Sequence, residues 1–473
     1  MKKILPLLFI SSIFAFAFFS FTAGEPQKVK SSDNDSTVVA KIFQEAYAGS
    51  GAYDALRGLC QKAPRRLSGS AGAQVAVEYM AQLMRENNFD RVWLQPCMVP
   101  HWERGAPETG EVTINMKKNI SVHKKMNVCA LGGSEATPEN GLTAPVIEVS
   151  SFEELEKLGR KNIEGKIVFY NHPFDDRKVS TFHAYGEAVQ YRWQGPPSAE
   201  KFGAVGVLVR SCTGSIDTFP HTGTMRNDSL RAKIPSAAIS TQDAELLHKQ
   251  LMMEKESLLF TLKMSCKWYA DVKSYNVIGE IIGSEHPEEV IVVGGHLDAW
   301  DLSEGAHDDG TGVTGSFEAV RLFKVLGIRP KHTIRCVAFM NEENGGRGGQ
   351  AYADSAALKK EKHIAAIESD AGGFTPRGFG LEMPADQKKK VQSWSPLFFP
   401  YGVYDFTRGG GGSDIDPLKE NGTPLLGLEP DGSRYFDFHH TEDDLFKNVN
   451  RRELQAGAAS MAAMIYLIDK YGL

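Results

Sequence analysis

The chain has 473 residues, of which 42% are hydrophobic and 24% charged, and its formal net charge is −6 at pH 7. A chain of this length exceeds what one hydrophobic core usually holds, so two domains are expected. The acidic balance, together with the lack of a long basic run in the sequence, argues against nucleic acid as a partner.

The first 24 residues have the pattern of an export signal. Lys2 and Lys3 form a positive start, residues 4–22 carry no charge, and the small residues around Ala23 suit cleavage. Because the uncharged stretch is long, an uncleaved membrane anchor is the alternative. We therefore predict a signal peptide at residues 1–24, export to the periplasm or the extracellular medium, and no membrane association of the mature form.

Helical and extended patterns follow in chain order, and the character of the sequence changes near residue 131. Apolar spacing predicts helices over 37–61 and 70–88 and a strand over 91–97. A Gly/Pro/Thr-rich stretch, LGGSEATPENGLTAP, then opens a separate unit over 131–266. The elements predicted inside this unit are strands at 144–149, 166–170, 205–209 and 237–240 and helices at 151–160 and 241–252.

Strands and helices alternate over 274–473, which is typical of a mostly parallel sheet covered by helices on both faces. The predicted strands are 289–295, 333–340, 363–369 and 424–428, and the predicted helices are 311–326, 349–358 and 450–470. The expected fold class is therefore α/β, a doubly wound, mostly parallel sheet with an inserted smaller β-rich domain. We assign residues 25–130 and 267–473 to the larger, split domain and residues 131–266 to the insertion.

Short acidic or histidine clusters follow the apolar runs of the second half of the chain. Three predicted strands end at such clusters, and sites in open α/β sheets form at the carboxyl ends of strands. The candidate ligands are His296 in GGHLDAWD, Asp308 in GAHDDG, Glu343 in MNEEN, Asp370 in IESDAGG and His440 in FHHTEDD. Imidazole and carboxylate are the ligands that hydrolytic zinc prefers, so the pattern predicts a site for two metal ions.

Two of these clusters combine metal binding with another role. Asp308 has two oxygens and can bridge two metals about 3.5–4 Å apart, whereas Asp309 is placed nearer the N-cap of the helix over 311–326. Glu342 and Glu343 are neighbours on an extended segment, so their side chains diverge. One of them can bind a metal while the other serves as the base that takes a proton from the attacking water.

Spacing leaves the roles of three further positions open. Asp298 follows His296 by two residues, so its carboxylate can face the same side of an extended segment and accept a hydrogen bond from the imidazole. His439 and His440 are adjacent, and spacing does not decide between them. His307 ranks below the neighbouring aspartates as a ligand.

A glycine-rich run extends from Arg408 to Asp414. It lacks the spacing of a phosphate-binding loop. Ser413 is expected to N-cap a helix over 414–420, and the glycines would let the loop pass close to a substrate backbone.

These motifs together resemble the co-catalytic zinc exopeptidases, a family that includes secreted bacterial aminopeptidases, glutamate carboxypeptidase and carboxypeptidase Q. The ordered motifs SYNVIGEIIG, VIVVGGHLDAWD, GAHDDGTG, FMNEENGGRGG, IESDAGGF, GGGGSDIDPL and FHHTEDD are most similar to the carboxypeptidase Q type. RRLSGSAG at 65–72 resembles the motif that begins the catalytic domain of the same family. Residues 131–266 resemble the protease-associated domain that is inserted in these enzymes, so the resemblance implies a zinc exopeptidase-like fold with such an insertion.

Carried over position by position, the resemblance implies a role for each member of the set. The implied ligands of two Zn²⁺ ions are Asp308 as the bridge, His296 and Asp370 for one ion, and Glu343 and His440 for the other. Glu342 matches the general base and Asp298 the partner of the first histidine. The family places its last ligand directly before Ser or Thr, which selects His440 over His439.

The resulting hypothesis is a secreted di-zinc metallo-exopeptidase that hydrolyses dipeptides or short peptides. An aminopeptidase of the same family is the alternative, because Glu442 and Asp443 can hold a substrate amine while Arg408 can hold a substrate carboxylate. Two further hypotheses are a non-catalytic binding module on this fold and a one-metal, glutaminyl cyclase-like acyltransferase. The expected partner is a peptide substrate, and assembly into a homodimer is left open.

Overall fold

The computed structural model describes residues 33–116, 120–226, 228, 230–253 and 258–473. The signal peptide predicted at residues 1–24 lies outside the described residues. The described α-helices are α1 Asp33–Ala48, α2 Gly51–Lys62, α3 Ala71–Glu86, α4 Phe152–Ile163, α5 Thr181–Trp193, α6 Gly195–Lys201, α7 Thr241–Met253, α8 Thr311–Leu326, α9 Arg347–Lys359, α10 Ala385–Ser393, α11 Tyr435–Phe438 and α12 Arg451–Tyr471. The described β-strands are β1 Arg91–Glu103, β2 Thr109–Met116, β3 Ile120–Met126, β4 Val128–Ala130, β5 Leu142–Val149, β6 Ile167–Tyr170, β7 Gly206–Arg210, β8 Ser236–Ile239, β9 Leu259–Lys263, β10 Lys267–Ile281, β11 His286–His296, β12 His332–Phe339, β13 Lys362–Glu368, β14 Pro376–Glu382 and β15 Leu425–Pro430.

A seven-stranded sheet with the strand order β1-β10-β12-β11-β13-β15-β14 carries the predicted ligands. Its central strands β12, β11, β13 and β15 run parallel, whereas the outer strands pair antiparallel. Alternate residues of β11 face opposite sides of the sheet, and both sides are buried: Ile291 and Val293 pack on one side, Val290 and Val292 on the other. The predicted α/β fold class is confirmed, and the parallel arrangement applies to the centre of the sheet.

Helices cover both faces of this sheet. On one face, α1, α3, α8 and α12 contribute Phe43, Met80, Phe317 and Ile465 to a single core. On the other face, α9 packs through Tyr352 against a smaller core. None of the described helices is long and apolar enough to cross a lipid bilayer.

The second sheet has eight strands in the order β3-β2-β9-β5-β6-β7-β8-β4. It lies between β1 and β10 in the chain, so both of its ends connect to neighbouring strands of the first sheet. We call the part of the chain from β2 to β9 the inserted unit. The domain boundaries at residues 131 and 266 stay a prediction. The second sheet includes β2, β3 and β4, which that prediction assigned to the larger domain.

The helices and strands differ from the expected ones in several places, and strands β2, β3, β4, β9, β10 and β14 were not predicted. The helix expected over 37–61 is two helices, because the chain breaks at Gly49 and Ser50. Helices α5 and α6 were not predicted, since their buried faces consist largely of Ala, Gly and Pro and give a weak apolar period. Helix α8 has the expected bounds and ends at Gly327, whose φ of 64° suits a glycine.

Candidate metal centre

Three parallel strands deliver the predicted site residues to one edge of the first sheet. His296 is the last residue of β11, and the register places it beside Phe339, the last residue of β12. Glu342 and Glu343 follow within a few residues of that strand end. Strand β13 ends at Glu368, opposite Gly294, and Asp370 comes two residues later. Because the three strands run parallel, their carboxyl ends bring predicted ligands from three separate segments of the chain together.

The five predicted ligands form two pairs that share one carboxylate. Nε2 of His296 lies 3.1 Å from Oδ1 of Asp308 and 3.4 Å from Oδ1 of Asp370. Nε2 of His440 lies 3.1 Å from Oδ2 of Asp308 and 3.1 Å from Oε2 of Glu343. Each oxygen of Asp308 therefore faces a different histidine, as a bridging carboxylate requires.

The carboxylate oxygens and histidine nitrogens of the five predicted ligands are arranged in a way that suits bound cations better than hydrogen bonds among themselves. Oε1 of Glu343 is buried and accepts no hydrogen bond from any described residue, while Oδ2 of Asp308 and Oδ1 of Asp370 face the histidine nitrogens of the same site. A buried carboxylate without a donor or a cation is strongly unfavourable. Ligands at 2.0–2.1 Å from a tetrahedral zinc are separated from each other by about 3.3 Å, close to the spacings seen here. These residues can hold two metal ions.

Asp309 could compete with Asp308, since it also lies near His296 and Asp370. Its oxygens are already engaged: Oδ2 accepts the backbone N–H of His296 at 3.0 Å and Oδ1 accepts that of Gly312 at 2.9 Å. The second of these bonds caps the start of α8, in keeping with the role expected for Asp309. The geometry therefore favours Asp308 as the bridge.

The two adjacent histidines differ in their distance from the centre. Nε2 of His439 lies 3.7 Å from Oδ2 of Asp308, farther than the corresponding atom of His440. The rings of His439 and His440 stack with their centroids 3.5 Å apart. His307 is turned away from the centre: its Nδ1 accepts the backbone N–H of Gly373 at 3.2 Å, and its ring stacks on an aromatic side chain.

Asp298 makes a different contact from the one expected. Nδ1 of His296 donates to the backbone carbonyl of Asp298 at 2.9 Å, whereas the nearest carboxylate oxygen lies 4.0 Å away. The carboxylate instead accepts the backbone N–H groups of Asn341, at 2.7 Å, and Glu342, at 3.2 Å. The carbonyl orients the histidine, because the extended segment turns at Asp298, and the side chain positions the loop that carries Glu342. Burial raises the pKa of Asp298 to about 6, although the charge of His296 lowers it.

The glycine-rich run also differs from its expected role. Ser413 does not cap a helix; its hydroxyl donates to Oε1 of Glu342 at 2.9 Å, and the next helical turn begins at Asp416. Gly412 passes so close to Glu368 that a Cβ atom there would lie 2.3 Å from the Glu368 carboxyl carbon. The glycines thus bring the loop against the acidic side chains of the site, where Ser413 orients Glu342.

Sequence reasoning missed two buried residues that hold the bridging segment. The carboxylate of Asp444 accepts the backbone N–H of His307 at 2.7 Å and that of Asp308 at 3.1 Å. Arg66, which is fully buried, donates to the carbonyls of Leu297 at 2.6 Å and Gly305 at 2.7 Å. The only sequence signals for them were the acids of FHHTEDD and the arginines of RRLSGSAG.

Without metal, the pair formed by His440 and Glu343 holds at least one proton near neutral pH. Burial lowers the pKa of His440, but the charge of Glu343 and hydrogen bonds to Asp308 and Glu343 raise it overall to about 9. Burial raises the pKa of Glu343 to about 8, and the charge of Asp308 adds to this effect. A metal ion that binds this pair must therefore displace at least one proton at pH 7.

We expect the affinity for the metal at Glu343 and His440 to rise with pH between pH 6 and 8. Each proton that must leave before the metal binds can make the metal affinity rise by up to about tenfold per pH unit. Calorimetric titration of the metal-free protein with Zn²⁺, in buffers of different ionisation enthalpy, measures the released protons. An affinity independent of pH would contradict this account of the site.

Comparisons with known proteins agree with this architecture. Residues 276–465 match Peptidase family M28. The chain is 36% identical to carboxypeptidase Q of Bos taurus over 418 residues, which are 88% of this chain and 84% of that protein. It is 32% identical to a peptidase M28 precursor from Shewanella amazonensis SB2B, with a TM-score of 0.85 and coverage of 92% of this chain and 97% of that one. A zinc aminopeptidase from Bacillus subtilis shares the fold, with a TM-score of 0.63, 22% identity and coverage of 88% and 94%.

The chain therefore belongs to peptidase family M28. It is a peptidase, and the family and its carboxypeptidase Q relatives support a metallo-exopeptidase. This assignment favours the enzymatic hypothesis over a non-catalytic binding module.

Proposed function

We propose that this protein is an exported di-zinc exopeptidase that hydrolyses dipeptides or short peptides. The observation that carries the proposal is the arrangement of two histidine–carboxylate pairs around Asp308, with Glu342 beside them. The name of the Bacillus subtilis aminopeptidase supports zinc as the metal. A positive start followed by the uncharged residues 4–22 supports export.

The proposed ligands divide between two sites. His296 and Asp370 would hold one zinc ion, Glu343 and His440 the other, and Asp308 both. When bound, the two ions supply Lewis acidity at the substrate carbonyl and lower the pKa of water to near 7. Hydrogen bonds from Nδ1 of both histidines to backbone carbonyls leave the lone pair of each Nε2 directed at the centre.

Glu342 is the proposed general base. Its carboxylate is not needed as a metal ligand. Asp298 accepts a hydrogen bond from its backbone N–H, and the hydroxyl of Ser413 donates one to its side chain. It would take a proton from the attacking water and deliver it to the leaving amine as the peptide bond breaks. Protons and charge balance over the reaction, because Glu342 ends in the form in which it began.

The proposed exopeptidase is either a dipeptidase or carboxypeptidase, or an aminopeptidase. The end of the peptide that it recognises distinguishes these activities. Similarity to carboxypeptidase Q supports a dipeptidase or carboxypeptidase, whereas the zinc aminopeptidase fold relative supports an aminopeptidase. Arg408, the cation proposed for a substrate carboxylate, already pairs with Asp405 at 2.8 Å and Glu429 at 3.4 Å. Asp443 is likewise paired, with Lys447 at 3.0 Å, so neither of these two side chains is free in this structure.

Hydrolysis of a free dipeptide, compared with its N-acetylated and C-amidated forms, tests the proposed function. A carboxypeptidase or dipeptidase should cleave the free dipeptide and lose at least about tenfold in kcat/KM on the amidated form, since one charged contact is lost. An aminopeptidase should instead lose activity on the acetylated form. A protein that holds two zinc ions but cleaves none of the three would overturn the proposal.

A further inference from the structure

The metal ligand His440 contacts the inserted unit as well as its own domain. Its φ angle is 63°, a left-handed conformation that is unfavourable for a residue other than glycine. Such a conformation persists only where surrounding contacts hold it. The contacts that hold His440 come from a segment 218 residues away in the sequence.

A reciprocal pair of hydrogen bonds joins His440 to Thr222. The backbone N–H of Thr222 donates to the carbonyl of His440 at 3.0 Å. In return, Nδ1 of His440 donates to the carbonyl of Thr222 at 3.2 Å. The first bond fixes the backbone of His440 and the second fixes the rotation of its ring. Together they direct Nε2 at Asp308 and Glu343.

Arg192, in α5, holds the Thr222 carbonyl in place. It is only 6% exposed, and its Nη1 donates to that carbonyl at 3.2 Å. Nη1 also lies 3.4 Å from Nδ1 of His440, because both donors share the two lone pairs of one oxygen. The other end of the guanidinium donates to the hydroxyl of Tyr185 at 2.7 Å. Gly223 leaves room for this arrangement, since a Cβ atom there would lie 2.4 Å from Arg192 Cζ.

The other histidine ligand needs no such help. Nδ1 of His296 donates to the carbonyl of Asp298, two residues along the same segment, and its backbone N–H donates to Asp309. The half of the centre that contains His296 is therefore oriented by contacts at the edge of the seven-stranded sheet. The half that contains His440 depends on Arg192, in α5, and on Thr222, in a loop of the inserted unit.

We propose that the inserted unit supplies the positioning residues for one of the two metal sites, with Arg192 and the Thr222 backbone orienting His440 for the metal that it shares with Glu343. This inference rests on the proposed function, since it assumes two bound metals. It assigns the inserted unit a part in the metal centre itself, beyond any contact with substrate. Loss of Arg192 should weaken one metal site and spare the other.

The test compares Arg192→Met with wild type in zinc-loaded, full-length protein that is challenged with increasing chelator. Partners of metal-binding histidines typically change metal affinity by 10–100-fold when they are replaced. We expect one zinc equivalent to leave Arg192→Met at about 10–100-fold lower chelator concentration, while the second leaves as in wild type. Arg192→Lys, which keeps one donor for Thr222, should restore part of the difference.

Arg210→Met is the matched control. Arg210 is also 6% exposed and lies in the inserted unit, but it bonds to Asn171 and Glu245, away from the metal ligands. It should retain both zinc equivalents as wild type does. If Arg192→Met does not fold, Tyr185→Phe removes the outer anchor of the guanidinium and should show a smaller loss of the same equivalent.

Several results would overturn the inference. They are unchanged retention of both equivalents in Arg192→Met, equal weakening of both, or an identical loss in Arg210→Met. If wild type itself holds fewer than two zinc ions, the proposed function fails and this inference fails with it. If wild type holds two zinc ions and Arg192→Met retains them equally well, the inference fails but the proposed function stands.

Discussion

Replacement of Glu342 by glutamine is expected to leave both metal ions bound and to lower kcat by about 10²–10⁴-fold, the range typical of a lost general base. Glutamine has nearly the same shape and still offers an oxygen to the hydroxyl of Ser413, so the loop should keep its position. It cannot accept a proton at neutral pH, and the attacking water then has no base. Zinc content by atomic absorption and kcat on a dipeptide are the two measurements.

Glu382→Gln serves as the control for this substitution. Glu382 pairs with Lys419 away from the cluster, so the same chemical change there should leave kcat and zinc content near wild type. If Glu342→Gln keeps wild-type turnover, Glu342 is not the base. If it loses zinc, the residue belongs to the ligand set and the roles of Glu342 and Glu343 must be exchanged.

Asp308→Asn is expected to have the larger effect on the metals. Asparagine has one carboxamide oxygen and no charge, so it cannot face both His296 and His440 as the carboxylate does. Loss of a metal ion removes several kcal/mol of stabilisation of the developing charge, roughly 10³-fold or more in rate. Zinc content should fall below two per chain, and peptidase activity should fall in parallel.

Asp309→Asn tests the neighbouring carboxylate under the same conditions. Asp309 is committed to backbone N–H groups, so its replacement should weaken the start of α8 and lower the midpoint of thermal unfolding while both zinc ions remain. The reverse outcome, zinc loss in Asp309→Asn and retention in Asp308→Asn, would favour a site built from His296, Asp309 and Asp370 instead.

The edge of the sheet where the ligands meet could be predicted from local patterns. Apolar runs such as VIVV before His296 identify buried strands, and a helix after each strand implies a parallel arrangement. Parallel strands place their carboxyl ends at the same edge. Residues that follow those ends, such as Glu343 and Asp370, are therefore neighbours in space even though long segments separate them in the chain.

The contacts that orient the site residues could not be predicted in this way. The distance of two residues between His296 and Asp298 is compatible with a bond to the carboxylate or to the carbonyl, and only the turn of the chain selects the carbonyl. Ser413 looked like a helix cap because its neighbours are typical of one. Its bond to Glu342 depends on how the glycine-rich loop folds over the sheet.

The sequence by itself determined the α/β class, the segments that carry ligand-type residues and the chemistry that such residues support, because strand periodicity and side-chain type are local properties. The tertiary structure alone decided which groups orient those residues. Arg192, in α5, and Thr222, in a loop of the inserted unit, lie far from His440 in the chain, and nothing in their local sequence encodes the contact. Packing of the inserted unit against the domain that carries the seven-stranded sheet brings them together, since the geometry of that interface is set by many side chains far apart in the chain.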